Sequence, residues 1–88
     1  MTGPERKIQE HCEHYMGSHG WYAERTELVG ERGWPDTTFH KLGRVLYVEF
    51  KTKVGKQSPQ QKLIARRLAL AGHTVIVARG IDDLSAVA

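Results

Sequence analysis

The stretch Pro35-Asp36-Thr37-Thr38-Phe39-His40-Lys41-Leu42-Gly43-Arg44-Val45-Leu46-Tyr47-Val48-Glu49-Phe50-Lys51 decides how the chain is read. Asp36 to about Lys41 and Val45 to Lys53 have the composition of strands, joined as a β-hairpin at Leu42-Gly43-Arg44. Side chains alternate faces along a strand. Leu46, Val48 and Phe50 therefore form an apolar set fit for a core, while Val45, Tyr47, Glu49 and Lys51 share the opposite face. Glu49 and Lys51 have two readings, an ion pair on a solvent-facing sheet surface or charged groups placed for chemistry. Asp36 follows Gly33-Trp34-Pro35. Proline fixes its own φ and keeps Trp34 extended, and Gly33 permits a tight bend, so Asp36 is held stiffly at the strand entrance. The plain alternative is an ordinary turn aspartate.

Outward from the hairpin, the remaining elements follow from periodicity and punctuation. Pro4 to about Ser18 reads as a helix, with Ile8, Cys12, Tyr15 and Met16 recurring on one stripe. Trp21 to about Leu28 has strand bias, and Val29 to Pro35 is a turn. Val54 to Gln57 is a loop. Ser58-Pro59 opens a helix running to about Ala71, with serine as N-cap, proline at the first helical position and Gly72 past its end. Thr74 to Ala78 is a continuous apolar run that predicts a strand buried on both faces. Asp82 is placed to cap a last helical turn through Val87. The predicted class is α/β, a small mixed β-sheet flanked by helices in the order α-β-β-β-α-β-α.

The 88 residues predict one domain over 1–88, with no internal repeat and no low-complexity tract. A domain of this size buries only about 60% of the surface its unfolded chain exposes, which favours self-association. A hydrophobic fraction of 40% and a charged fraction of 26% are those of a soluble globular domain. No apolar run approaches the roughly 18–20 residues of a membrane span, and the first residues lack the apolar stretch of a signal peptide. Cys12 is the single cysteine, which excludes an internal disulfide and suits a reducing cytoplasm.

Charge is unevenly distributed. Residues 1–31 have a balance of −3 and residues 80–88 a balance of −2, whereas residues 32–79 carry ten Lys/Arg against Asp36 and Glu49 alone. Such a block attracts a polyanion such as nucleic acid, or is simply a solvated basic surface. Two carboxylates brought to one end of a hairpin repel unless a cation lies between them. A hard divalent ion such as Mg²⁺ prefers oxygen ligands, keeps several waters and polarises a phosphate. Lys51 would orient the attacking water or stabilise charge developing on the phosphate. These are the parts that phosphodiester hydrolysis needs.

Pro35-Asp36, then Glu49-Phe50-Lys51, resembles the P-D…E-x-K pattern of the PD-(D/E)XK nuclease superfamily. The context narrows the resemblance to the VRR-NUC family. It comprises Glu5-x-x-Ile8 in a first helix, Gly33-x-Pro35-Asp36, Val48-Glu49-x-Lys51, Ser58-Pro59-x-Gln61 and Ala71-Gly72, in order over nearly the whole chain. The resemblance implies a restriction-endonuclease-like core and a Mg²⁺-dependent DNA endonuclease, with Mn²⁺ as a substitute. Asp36 and Glu49 would be metal ligands, Lys51 the catalytic lysine and the carbonyl of Phe50 a further ligand. Glu5, acting through water, and Gln61 would complete the site. Small standalone members resemble phage or bacterial proteins acting as homodimers on branched DNA, notably four-way junctions. The alternatives are a non-catalytic DNA-binding module on the same fold, or a flap or exonuclease-type activity. A sequence-reading restriction-type enzyme would need more base-reading loops than this chain has. One departure is Thr37-Thr38, where the family has apolar residues.

At 100° per residue, Glu5 falls at the edge of the first helix's apolar stripe, whereas Glu10 and Glu13 point away from its centre. The alternative is a first-turn glutamate stabilised by the helix dipole; the resemblance favours the site role. Gln61 belongs equally to an S-x-x-Q capping box with Ser58. In that second helix Leu63, Ile64, Leu68 and Ala71 are expected inward and Lys62 and Arg66 outward. Arg67 projects among the apolar positions, to snorkel or to pair across an interface. Lys53, Lys56, Lys62 and Arg66 are the candidates for DNA phosphate contacts, with Arg32, Lys41 and Arg44 behind them. His11, His14, His19 and Cys12 match no common zinc spacing. Trp21 and Trp34 read as packing residues, Trp34 lying beside the site.

Overall fold

A computed structural model describes residues 3–26 and 32–88. The elements are α1 (Gly3–Ser18), β1 (Tyr22–Arg25), β2 (Thr37–Lys41), β3 (Arg44–Phe50), α2 (Pro59–Leu70), β4 (Thr74–Ala78) and α3 (Asp82–Ser85). They form one four-stranded sheet in the order β1-β2-β3-β4. The first three strands are antiparallel and β4 runs parallel to β3. A parallel return needs a crossover of a dozen or more residues, and α2 supplies it.

The hairpin is tighter than the sequence suggests. Arg44 already pairs with Lys41, leaving Leu42-Gly43 as a two-residue turn. Both turn residues have positive φ, 48° and 79°, the pattern of a type I′ turn matched to strand twist. β3 ends at Phe50 rather than Lys53, because the chain turns at Thr52–Gly55. β1 stops at Arg25, and the expected continuation through Leu28 and the start of the turn at 29–31 lie outside the described residues.

The alternation in β3 holds. Leu46, Val48 and Phe50 join Cys12 and Met16 of α1, Trp21, Phe39, Ala78 and Leu84 in the main core. The opposite face carries Tyr47, which stands edge-on to Trp34 and His73 with ring centroids 6.0 and 5.3 Å apart. On α2 only Ile64 and Leu68 are buried; Leu63 is half-exposed and Ala71 and Arg67 are exposed. The expectation that β4 is buried on both faces is not met. It is a sheet edge, with Thr74 exposed, Val75–Val77 half-buried and only Ala78 fully enclosed. Nor does Asp82 cap α3: Ile81 takes the cap position without a side-chain bond, and Asp83 Oδ2 instead accepts from the Arg79 amide at 2.7 Å.

Candidate active site

Asp36 is set by contacts on every side of its backbone. Gly33 has φ 89°, and a Cβ there would lie 2.7 Å from the Gln60 carbonyl carbon and 2.8 Å from its oxygen. Only glycine lets the turn approach the first turn of α2 so closely. Pro35 is buried, its carbonyl accepts from the Thr26 hydroxyl, and the Thr26 amide donates to the Asp36 carbonyl at 3.0 Å. The side chain is then tied across the sheet, because the Phe50 amide donates to Asp36 Oδ2 at 2.8 Å. Asp36 thus meets β3 at the peptide between Glu49 and Lys51.

Glu49 is fully buried. Its Oε2 accepts from Gln57 Nε2 at 2.8 Å, while Oε1 is buried with no hydrogen-bond partner among the described residues. Burial pushes the Glu49 carboxyl above its ordinary value, and the Asp36 charge adds to the shift; Gln57 and Lys51 oppose it. Burial likewise raises Asp36, against the Phe50 amide and Lys51, with the Glu5 charge adding to the rise. Lys51 therefore acts electrostatically on both carboxylates. Its amide extends the sheet ladder to the Ala78 carbonyl at 3.0 Å.

Glu5 lies half-buried in the first turn of α1, where its charge reaches Asp36. One and two turns on, Gln9 and Glu13 occupy the same flank. Gln9 Nε2 donates to Thr37 Oγ1 at 3.0 Å, and Thr37 Oγ1 donates to Glu13 Oε2 at 2.7 Å. Arg25 completes the network with an ion pair to Glu13 at 2.8 Å. Glu13 thus faces the sheet, contrary to the helical-wheel expectation, because Thr37 and Arg25 present it with polar partners. The same network answers the Thr37-Thr38 departure, since the buried Thr37 hydroxyl is satisfied.

Gln61 sits in a complete capping box: its Oε1 accepts from the Ser58 amide at 2.9 Å, and its amide donates to Ser58 Oγ at 3.1 Å. The glutamine that reaches Glu49 is Gln57, which sequence reasoning passed over as a loop residue. The available signal was Gly55, whose turn redirects the chain toward β3. Phe50 meets the site through its amide, bonded to Asp36. Lys53, Lys56, Lys62 and Arg66 are all exposed, on the loop after β3 and on α2. Lys41 and Arg44 are drawn elsewhere. They lie over the Trp21 ring at 5.6 and 4.9 Å and donate to the Ala88 and Val87 carbonyls, each at 3.2 Å. His11 and His14 are exposed while Cys12 is buried, its thiol pushed up to about 11 by burial, which is no zinc site.

No group of three His, Cys, Asp or Glu side chains able to hold a metal occurs among the described residues. A zinc or nickel site would need more side-chain ligands than two carboxylates. Mg²⁺ does not, because it commonly binds through one or two carboxylates and keeps its remaining waters. The bare Oε1 of Glu49 beside Asp36 fits that donor set. Glu5, whose charge reaches Asp36, fits a role through water. Thr38 and Tyr47, each two residues along its strand from a carboxylate, line a cavity of about 300 Å³ on the same sheet face. The arrangement is a carboxylate pair with one lysine, on the sheet face that also carries this cavity.

No protein-family model matches the sequence, and no curated protein does. Solved structures match. One, described as "VRR_NUC domain", superposes with a TM-score of 0.85 at 21% identity, covering 97% of this chain and 94% of the other. The chain has the fold of a VRR_NUC domain. A second structure, "VRR_NUC domain protein", gives a TM-score of 0.79 at 21% identity over 99% of this chain and 87% of the other. The VRR_NUC fold spans all the described elements, so the hairpin, the crossover helix α2 and helix α1 flanking Asp36 are parts of one scaffold.

Proposed function

We propose that the protein is a divalent-metal-dependent DNA endonuclease that hydrolyses phosphodiester bonds, acting as a homodimer on branched DNA such as four-way junctions. The observation that carries this reading is Glu49. A fully enclosed carboxylate, hydrogen-bonded by Gln57 at one oxygen and without a partner among the described residues at the other, is costly in its charged form unless a cation completes it. Mg²⁺, or Mn²⁺ in its place, would be held by Asp36 and Glu49 and supplies, when bound, Lewis-acid polarisation of a phosphate and acidification of water.

The chain's own residues do the rest. Asp36 Oδ2 is held by the Phe50 amide and Glu49 Oε2 by Gln57, so the two carboxylates that would hold the cation are each fixed by a protein hydrogen bond. Lys51, whose charge acts on both carboxylates, would orient the attacking water and stabilise the phosphorane-like transition state. A water oxygen bonds to phosphorus, one P–O ester bond breaks, and the departing oxygen takes a proton. Lys53, Lys56, Lys62 and Arg66 contact flanking phosphates and fix register without reading bases.

Dimerisation is supported by the thin core and by the large apolar residues left exposed on α2, Leu63 at 48% and Leu70 at 80% exposure. Paired sites would suit paired incisions. No helix of the described residues is long and apolar enough to cross a membrane, and the reading assigns the protein to the cytoplasm of a bacterium or of its phage-infected form. Labelled four-way junction, flap, single-stranded and linear duplex DNA, each with Mg²⁺, Mn²⁺ or EDTA, test the proposal. Metal-dependent cleavage favouring the junction is expected. Failure to cleave any of them with either metal overturns it.

A further inference from the structure

Arg79, the residue after β4, is exposed and belongs to neither carboxylate. One guanidinium nitrogen is nevertheless committed to backbone. Nη1 donates to the Thr52 carbonyl and, at 2.7 Å, to the Gly55 carbonyl. Its own amide is fixed by Asp83 Oδ2 at 2.7 Å. The two carbonyls bracket the turn that the Gly55 amide closes onto Thr52, at 3.2 Å to its carbonyl and 3.1 Å to its hydroxyl. One nitrogen thus fastens the whole turn to the end of β4.

What that turn connects gives the contact its meaning. Lys51 precedes it and Gln57 follows it, and both act on Glu49, one by charge and one by hydrogen bond. The Lys51 stem runs against the turn, its Cδ 3.6 Å from where a Cβ would stand at Gly55. A basic residue serving only as a phosphate contact would not spend a guanidinium nitrogen on two backbone carbonyls. The geometry points to Arg79 as a positioning residue of the nuclease site. It holds the Thr52–Gly55 turn so that the Lys51 ammonium and the Gln57 amide stand in register with Glu49. This rests on the endonuclease reading above. Misplacing reacting groups by about 1 Å can cost on the order of 100-fold in rate, so loss of the clamp appears in turnover rather than in DNA affinity.

The full chain carrying Arg79→Ala or Arg79→Lys tests this with two readouts. The first is kcat and KM on junction DNA across a range of salt. The second is the NMR position and exchange rate of the Gln57 side-chain amide and the Gly55 backbone amide, in DNA-free protein. Arg79→Ala is expected to lower kcat at least tenfold with KM and its salt dependence unchanged. Both amides should exchange faster, and Arg79→Lys, whose ammonium still donates to two carbonyls, should recover part of each effect. A raised KM with a shallower salt slope and intact kcat would show a phosphate contact instead and overturn the proposal. Unchanged Gln57 and Gly55 amides in Arg79→Ala would overturn it whatever the activity. If wild-type protein cleaves no DNA the endonuclease reading fails, and the amide readout still decides whether Arg79 positions Gln57.

Discussion

Glu49 and Gly33 show how single residues set the site from opposite directions. Glu49 is legible as a candidate because strand alternation puts it on the face away from Leu46, Val48 and Phe50. Its complete burial is not legible, since that depends on Gln57 folding back over it from eight residues later. Gly33 reads as a turn residue, yet its larger task is to let the chain at Gly33 lie against the Gln60 backbone. Gly33→Ala would combine a left-handed φ, unfavourable by about 1–2 kcal/mol, with an overlap that costs a further 1–3 kcal/mol or so. A drop of about 2–5 kcal/mol in unfolding free energy is expected by urea titration. A loss under about 1 kcal/mol would mean that the turn does not seat on α2 as described.

Among the elements, α2 was the easiest to read and β4 the most misleading. Ser58, Pro59 and Gly72 are local signals that specify a helix start and stop without tertiary help, and the capping box is complete. Ser58→Ala removes the acceptor for the Gln61 amide and should lower stability by about 1 kcal/mol. For a domain this size that corresponds to roughly 4–8 °C in Tm. An unchanged Tm would count against the cap. β4 has the apolar run of a doubly buried strand, but its place at the sheet edge leaves Thr74 in solvent, and edge position is not written in a local pattern. Glu13 is a similar case. Helical periodicity aims it aside, and only the chain reversal that brings Thr37 and Arg25 to α1 turns it into a structural ligand. Gln61 carried two readings in the sequence, and its side-chain oxygen is engaged by the cap.

For the whole molecule, the carboxylate pair links stability to pH and, on the proposed function, to metal. Burial holds both folded-state pKa values above their ordinary values of 3.8 and 4.5. In metal-free protein the folded state therefore binds protons more tightly than the unfolded state. The penalty from these two groups is absent below about pH 4 and grows as pH rises from the ordinary values through the raised ones, remaining complete above them. A divalent cation at the pair removes it. Millimolar Mg²⁺ should consequently raise Tm more at pH 8 than at pH 5, and Glu49→Gln should abolish most of that difference. Equal Mg²⁺ shifts at both pH values, or in both proteins, would separate the pair from the metal.

Sedimentation and salt dependence probe the proposed dimer and the basic surface, but the proposed chemistry stands on Asp36 and Glu49. The most direct measurement is the rate of strand cleavage of a labelled four-way junction by wild-type protein, Asp36→Ala and Glu49→Gln in the same Mg²⁺ buffer. An EDTA control is run alongside. Cleavage by wild type alone, abolished by EDTA and reduced at least 100-fold in each variant, is the predicted result. Undiminished cleavage by either variant would contradict a metal site built on the buried Glu49 and its partner Asp36.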